Sequence, residues 1–439
     1  MEWSLAIVAL ALLAVAGLSR RLSGTPVTPA MVFVAVGVLA GPLVLDEIDV
    51  SAAGSTVRTL AEATLALVLF SDAARVDLRK LRRERVLPVR LLALGLPLTI
   101  AAGALVGLWL FSALTVTEAF VLAVVLAPTD AALGQAVVTN ERVPARIRQA
   151  LNVESGLNDG ICVPLLLIIL ATAEAESHTP GGGHAVRVVV EEIGYGLLAG
   201  VGVGALVAAV VVHAGRRNLI DPAWLQTLSV AGAFLAYGVA AALGGSGFIG
   251  AFVAGIAFGH LVRRDTAELT IFNEELGQAL NGVTFVVFGA VLLGPALEHL
   301  SWSIVVYALL SLTLVRMIPV GIALIGTHAR RPTVGFLGWF GPRGLASIVF
   351  AVIVVEESRL PHVETIVLTT YVTIGLSVVL HGLTAAPLAT RYADWYRTHR
   401  RDRLPPLESG HAPPQRPRGS ARAAGGATAA DPPKPKQAP

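Results

Sequence analysis

Two acids at the start of an apolar run, each four residues from a polar neighbour, are the residues of this chain best placed to do chemistry. The stretch from Leu151 to Cys162 reads LNVESGLNDGIC and leads into an apolar run that continues to Ala173. A run of that length crosses a bilayer, which takes about 20 residues of helix. Glu154 and Asp159 therefore fall within, or at the mouth of, a membrane helix. A carboxylate at bilayer depth costs at least about 2.5–3.5 kcal/mol to insert, so its presence points to a partner or a task. Helical spacing sets Glu154 and Asn158 on one face and Ser155 and Asp159 on another. Gly156 and Gly160 thin the helix and are expected to admit a neighbouring backbone. Taken alone, the stretch could equally be a polar helix end at the interface.

Two further stretches join it. LAPTDAALG places Pro128 and Gly134 around Thr129 and Asp130, and GWFGPRGLAS places Gly341, Pro342 and Gly344 around Arg343. A mid-span proline removes a backbone hydrogen bond and clashes with the preceding turn. Backbone freed at membrane depth is tolerated only inside protein or beside a watery cavity. The intramembrane acids are then Asp130, Glu154 and Asp159, and the bases are Arg343 and Arg316, the latter in LTLVRMIPV. Arginine stays charged and needs a carboxylate or backbone carbonyls nearby. Two arginines can neutralise two acids, which leaves one over. A desolvated carboxylate left over can take a proton, or a dehydrated monovalent cation with help from hydroxyl and carbonyl oxygens. Competition of the two for one carboxylate is the minimal chemistry of an antiporter.

The elements that position these groups are membrane helices. The chain has 439 residues, 54% hydrophobic and 14% charged, with mean hydropathy +0.71; soluble domains are about 25% charged. An all-α polytopic membrane protein is expected, with about thirteen spans over residues 1–390 and a basic, Pro/Ala-rich, disordered cytoplasmic tail over 391–439. The first run, Trp3–Ser19, lacks the marks of a cleaved signal peptide and reads as a retained span. The fifth span is Glu118–Val138, the sixth Asn152–Ala173, the eleventh Ser301–Gly326, the twelfth Thr333–Val355 and the thirteenth Thr365–Thr390. Basic residues collect on alternate connections: Arg20 and Arg21, the cluster Arg75 to Arg90, Arg142 to Arg148, Arg216 and Arg217, Arg263 and Arg264, Arg330 and Arg331, and the tail. The opposite connections hold only Arg187 and Arg359 beside acids such as Asp46, Glu47 and Asp49. By the positive-inside rule the N-terminus lies outside and the C-terminus in the cytoplasm. The segment Arg75–Arg90 reads either as a plain basic loop or as an amphipathic helix on the inner leaflet. The interrupted spans, fifth and twelfth, run in opposite directions. That is the pattern of inverted-topology repeats with two crossing discontinuous helices, spans one to six echoed by eight to thirteen.

APTDAALG, ESGLNDG, Arg316 and GPRG, in this order and on these spans, resemble the NhaP-type sodium/proton antiporters of the first cation/proton antiporter family. The resemblance runs from about Trp3 to Thr390. It implies a core subdomain moving against a dimerisation subdomain, a homodimer, and a prokaryotic plasma membrane. It implies that Asp159 carries cation and proton in turn, with Ser155 and Thr129 adding oxygens and Asp130 and Asn158 beside them. It implies a structural ion pair of Glu154 with Arg316, and Asp130 and Arg343 balancing the half-helix dipoles at the crossing. The Asn-Asp form, with Asn158, implies electroneutral exchange, one Na+ for one H+. Ala131 departs from the proline common after the Thr-Asp pair.

Other residues carry less. Gly244 to Gly259 is rich in small residues and suits close helix packing. Glu62 lies four residues after Arg58 on one helical face. Asp72 reads as an inner-interface acid beside Arg75, and His260 and His381 as span-end histidines, interfacial or pH-responsive. The single cysteine, Cys162, excludes an internal disulfide and reads as a small buried hydrophobe. The ten histidines show no HxxxH pattern, so neither structural metal nor cofactor is expected beyond the transported ions. The partners are membrane lipid, monovalent cations and protons, and a second copy, with no role for nucleic acid. The rival readings are a potassium/proton exchanger on the same scaffold and a channel or sensor without exchange. An intramembrane hydrolase fits neither GLND nor VESG.

Overall fold

In the computed structural model the described residues are 2–22, 25–45, 47, 54–76, 86–177, 182–217, 219–221, 224, 226–262, 269–358, 360–399 and 406–409. Among them the regular structure is entirely helical. The chain runs through α1 (Glu2–Leu22), α2 (Pro29–Ala40), α3 (Gly54–Ala74), α4 (Val86–Leu110), α5 (Val116–Val125), α6 (Gln135–Val138), α7 (Ala145–Ser177) and α8 (Gly182–Arg216). It continues through α9 (Thr227–Ala242), α10 (Gly247–Val262), α11 (Ile271–Glu298), α12 (Trp302–Ala323), α13 (Arg331–Trp339), α14 (Leu345–Glu357), α15 (Val363–Thr398) and α16 (Pro406–Ser409). Seven of these are long and apolar enough to cross a membrane by themselves, and five more are shorter apolar helices. Each of the thirteen expected spans coincides with one helix or, for the fifth and twelfth, with a pair of half-helices.

Local chemistry sets the ends. Thr28 caps α2 from its side chain with Pro29 at the first position, a combination that supplies an acceptor where helix N–H groups lack one. Thr115 and Glu118 form a reciprocal capping box at the start of α5. Two helices contain π-helical turns that the sequence did not disclose, Leu91–Gly95 in α4 and Phe288–Leu293 in α11. Span eleven bends at Thr313, three residues before Arg316.

Around α10 the helices approach through small residues. A Cβ on Gly250 would lie 2.8 Å from Ala236 O, and one on Gly200 would lie 2.7 Å from Gly250 O. Such approach earns van der Waals contact where lipid offers no hydrophobic drive. Phe70 of α3 and Phe258 of α10 meet there, ring centroids 5.6 Å apart. A second cluster gathers α4, α6, the start of α7, α12, α13 and the end of α15, with Ile147, Val320, Leu337, Phe340 and Ala389 at its centre. This cluster holds one half of each interrupted span, α6 and α13; the other halves, α5 and α14, pack together in a separate cluster with Val121, Leu122, Ile348 and Phe350. Residues 77–85, Asp46, Asp49, Arg263, Arg264, Arg359 and most of the tail lie outside the described residues, and most of the basic segment Arg75–Arg90 and part of the charge pattern fall there. The described parts of the expected tail are helical instead: α15 runs on to Thr398, and α16 buries Glu408, which accepts from Thr333 Oγ1 at 2.9 Å.

Candidate functional site

The two interruptions lie against each other. After Val125 the chain leaves helical geometry and re-enters it at Gln135; after Trp339 it does so until Leu345. The backbone N–H of Asp130 donates to Pro342 O at 2.7 Å, so the two breaks hydrogen-bond at the crossing.

Charge is distributed over the half-helix ends. Arg343 is fully buried, and its Nη1 donates to Ala127 O at 3.2 Å and Pro128 O at 3.3 Å. Those carbonyls close the negative end of α5. The Asp130 carboxylate accepts from Ala132 N at 2.8 Å and Leu345 N at 3.3 Å; Leu345 opens α14 at its positive end. Gly344 makes this possible: a Cβ there would stand 2.7 Å from Asp130 Cβ and closer still to Oδ2.

Helix α7 packs its polar face on the first break. Ser155 Oγ donates to Thr129 O at 2.6 Å and accepts from Ala131 N at 2.8 Å. Asn158 Nδ2 donates to Thr129 Oγ1 at 2.8 Å, while its buried Oδ1 accepts no hydrogen bond. Asp159, also buried, lies one turn beyond Ser155 on the same face. On the adjoining face Glu154 Oε1 meets Arg316 Nη1 at 2.6 Å, both side chains almost wholly buried. Arg316 also covers the second break, since a Cβ on Gly341 would be 2.5 Å from its Nε. Thr129, Asp130, Glu154, Ser155, Asn158, Asp159, Arg316 and Arg343 thus occupy one polar core between α5–α6, α7, α12 and α13–α14. Hydroxyl, amide, carbonyl and carboxylate oxygens collected in this way can replace the hydration shell of a monovalent cation.

Some sequence expectations change in detail. Gly156 and Gly160 admit side chains rather than backbone: Asp72 Cβ would be 3.1 Å from a Cβ on Gly156, and the Phe252 ring 2.6 Å from one on Gly160. Arg75 pairs with Glu274 and donates to Thr270 Oγ1 at 3.3 Å. Glu62 pairs with Arg58 at 2.6 Å and accepts from Tyr237 OH at 2.9 Å. His381 is not at a span end but buried within α15, because its ring is hydrogen-bonded into the second break. Ser377 and His381 escaped the sequence reading of the site. Their signal was a serine and a histidine four residues apart in a span otherwise polar mainly through threonines.

Comparison with known proteins agrees with this architecture. A family model described as sodium/hydrogen exchanger, transmembrane, matches residues 7–391. The "K(+)/H(+) antiporter NhaP" of Alkalimonas amylolytica is 24% identical over 369 residues, 83% of this chain and 62% of that protein. A "Na(+)/H(+) antiporter" of Schizosaccharomyces pombe is 26% identical over 222 residues, 48% of this chain and 47% of that one. The chain therefore spans about half to two thirds of the length of these relatives. The structure of the sodium proton antiporter MjNhaP1 from Methanocaldococcus jannaschii at pH 8 has the same fold, with TM-score 0.73 at 20% identity over 87% of this chain and 98% of that one. The interrupted, crossing helices and the extent of the family match together make this chain a member of the sodium/hydrogen exchanger transmembrane family.

Proposed function

We propose that the protein is a secondary transporter that exchanges a monovalent cation for a proton, with Asp159 as the group both occupy in turn. The observation that carries this reading is the crossing itself. Two broken helices hydrogen-bonded through Asp130 N and Pro342 O are joined to α7 by Ser155 and Asn158, which bond to Thr129, and the buried Asp159 lies one turn from Ser155 on the same face. Crossing discontinuous helices of this kind mark transporter sites. Asp159 carries the charge; Ser155, Thr129 and Asn158 orient the oxygen cage; Asp130 and Arg343 balance the helix ends; Glu154 and Arg316 hold α7 to α12.

Sodium is the proposed cation and the exchange one for one, electroneutral. Potassium is the second reading, favoured by a relative that aligns over 83% of this chain and is named for potassium. The protein works as a homodimer in the plasma membrane, N-terminus outside, a core body carrying the crossing moving against a body built on α3, α8, α9 and α10. Its tail over 391–439 is cytoplasmic. The test uses proteoliposomes with a preset pH gradient. A sodium pulse is expected to dissipate the gradient without creating a membrane potential, a potassium pulse to do so less well, and Asp159→Asn to abolish the response in a folded protein. A response retained by Asp159→Asn would remove Asp159 from the mechanism.

A further inference from the structure

In an unbroken helix Arg343 N would donate to Trp339 O, four residues back. The second break separates these two groups; Trp339 O accepts from Gly341 N at 2.9 Å and has a second lone pair for a further partner, and Arg343 N needs one at membrane depth. Both find one on α15. Arg343 N donates to Ser377 Oγ at 2.7 Å, and His381 Nε2 lies 3.0 Å from Trp339 O. Ser377 and His381 are one turn apart on α15, and their side chains meet, Ser377 Oγ to His381 Nδ1 at 3.2 Å. Nε2 faces Trp339 O, and Nδ1 faces both Ser377 Oγ and, at 3.1 Å, Ser377 O; with the ring proton assigned to Nε2, Nδ1 accepts from the Ser377 hydroxyl. The sequence of donors is continuous: Arg343 N–H to Ser377 Oγ–H to His381 Nδ1, then His381 Nε2–H to Trp339 O.

We infer that Ser377 and His381 form a side-chain rung standing in for the missing backbone hydrogen bond of span twelve, and that this rung is a positioning device for Arg343. Both residues are buried. The rung is wider than the backbone bond it replaces, so it holds the break open at fixed width while satisfying both ends. Trp339 is tied to α15 twice more, by Trp339 Nε1 to Thr384 Oγ1 at 2.9 Å and by its ring against His381, centroids 5.3 Å apart. With its backbone fixed at this point, the Arg343 side chain reaches back to Ala127 O and Pro128 O, and Pro342 O meets Asp130 N. The rung therefore sets the register of one interruption on the other. Neither residue touches the proposed ion cage; each acts through Arg343 and the Pro342 carbonyl. The inference deepens the exchange reading and, for its transport readout, rests on it.

Two readouts on the full chain test it. The first is amide hydrogen exchange of the segment containing Arg343 in detergent-solubilised protein. The second is exchange rate against cation concentration in proteoliposomes. Ser377→Ala removes one hydroxyl and His381→Ala the ring. Each is expected to speed exchange of the Arg343 amide and lower the maximal transport rate by about tenfold, the scale of one lost buried hydrogen bond. His381→Gln, which keeps an N–H near the reach of Nε2, is expected to retain most of the rate. Because one rung is broken in either case, the Ser377→Ala/His381→Ala double variant is expected to lose no more than the worse single variant. Losses that multiply in the double variant, or an Arg343 amide as protected in both single variants as in the native chain, would overturn the rung. If the native protein moves no protons against cation, the exchange reading fails by itself, and amide protection still decides the rung.

Discussion

At the scale of single residues, the site combines one compact charge pair with groups tied to backbone. Glu154 and Arg316 bury two opposite charges in contact, and Nε and Nη2 of Arg316 make no hydrogen bond. Much of the stabilisation of that guanidinium thus comes from a single carboxylate. Removing one partner of such a pair costs about 3–5 kcal/mol, because the other charge is stranded. Glu154→Ala and Arg316→Ala are each expected to lower thermal stability by that order, and the double variant by less than the sum. Thermal unfolding of the detergent-solubilised protein measures this; single variants as stable as the native chain would show that the pair holds nothing. The sequence offered both residues as intramembrane charges. Spacing did not offer their pairing, because helical spacing orders groups along one helix and says nothing of which helix faces it; only the family resemblance implied it. The same limit hid the carbonyls of Ala127 and Pro128 as partners of Arg343.

At the scale of elements, composition separated the interrupted spans from the continuous ones. Pro164, Pro319 and Pro387 lie inside helices that continue through them, whereas Pro128 and Pro342 sit where helix stops. The difference is in the company: Asp130 and Arg343 lie within two residues of Pro128 and Pro342, whereas no charged residue lies that close to Pro164, Pro319 or Pro387, so the freed backbone at the breaks has a partner. That contrast, with hydropathy and alternating charge, made the spans and the two breaks legible. The π-turns of α4 and α11 and the bend at Thr313 were not read, although each π-turn is followed two residues later by a proline, Pro97 or Pro295, which cannot donate back into the turn before it. Gly344 is the element-scale hinge of this arrangement. A methyl group there meets the Asp130 side chain and separates it from Leu345 N. Gly344→Ala is expected to cost about 1–3 kcal/mol of stability, as overpacking does, and to reduce exchange more than Gly335→Ala, where a Cβ meets nothing. Equal activity of the two variants would show that the close approach at the crossing is dispensable.

At the scale of the whole molecule, one polar core lies inside an apolar body whose outer helices face outward with large apolar side chains. Trp3, Leu5, Leu10 and Leu13 of α1 are exposed, as is expected of a surface turned to lipid or to a second copy. The alternation of arginines is the ground for the orientation proposed for that body. In a Cys162→Ala background, a single cysteine at Glu47 is expected to react with an impermeant thiol reagent added outside cells, and one at Arg142 only after permeabilisation; the reverse would invert the topology. Orientation, fold and charge pairs all serve one claim, that proton and cation exclude each other at Asp159. The apparent sodium affinity of reconstituted protein, measured across pH, tests it most directly. Competition predicts that in the acidic limb the sodium concentration for half-maximal exchange rises about tenfold for each unit fall in pH, with the maximal rate at saturating sodium preserved. A half-maximal concentration that stays constant across that range would contradict it.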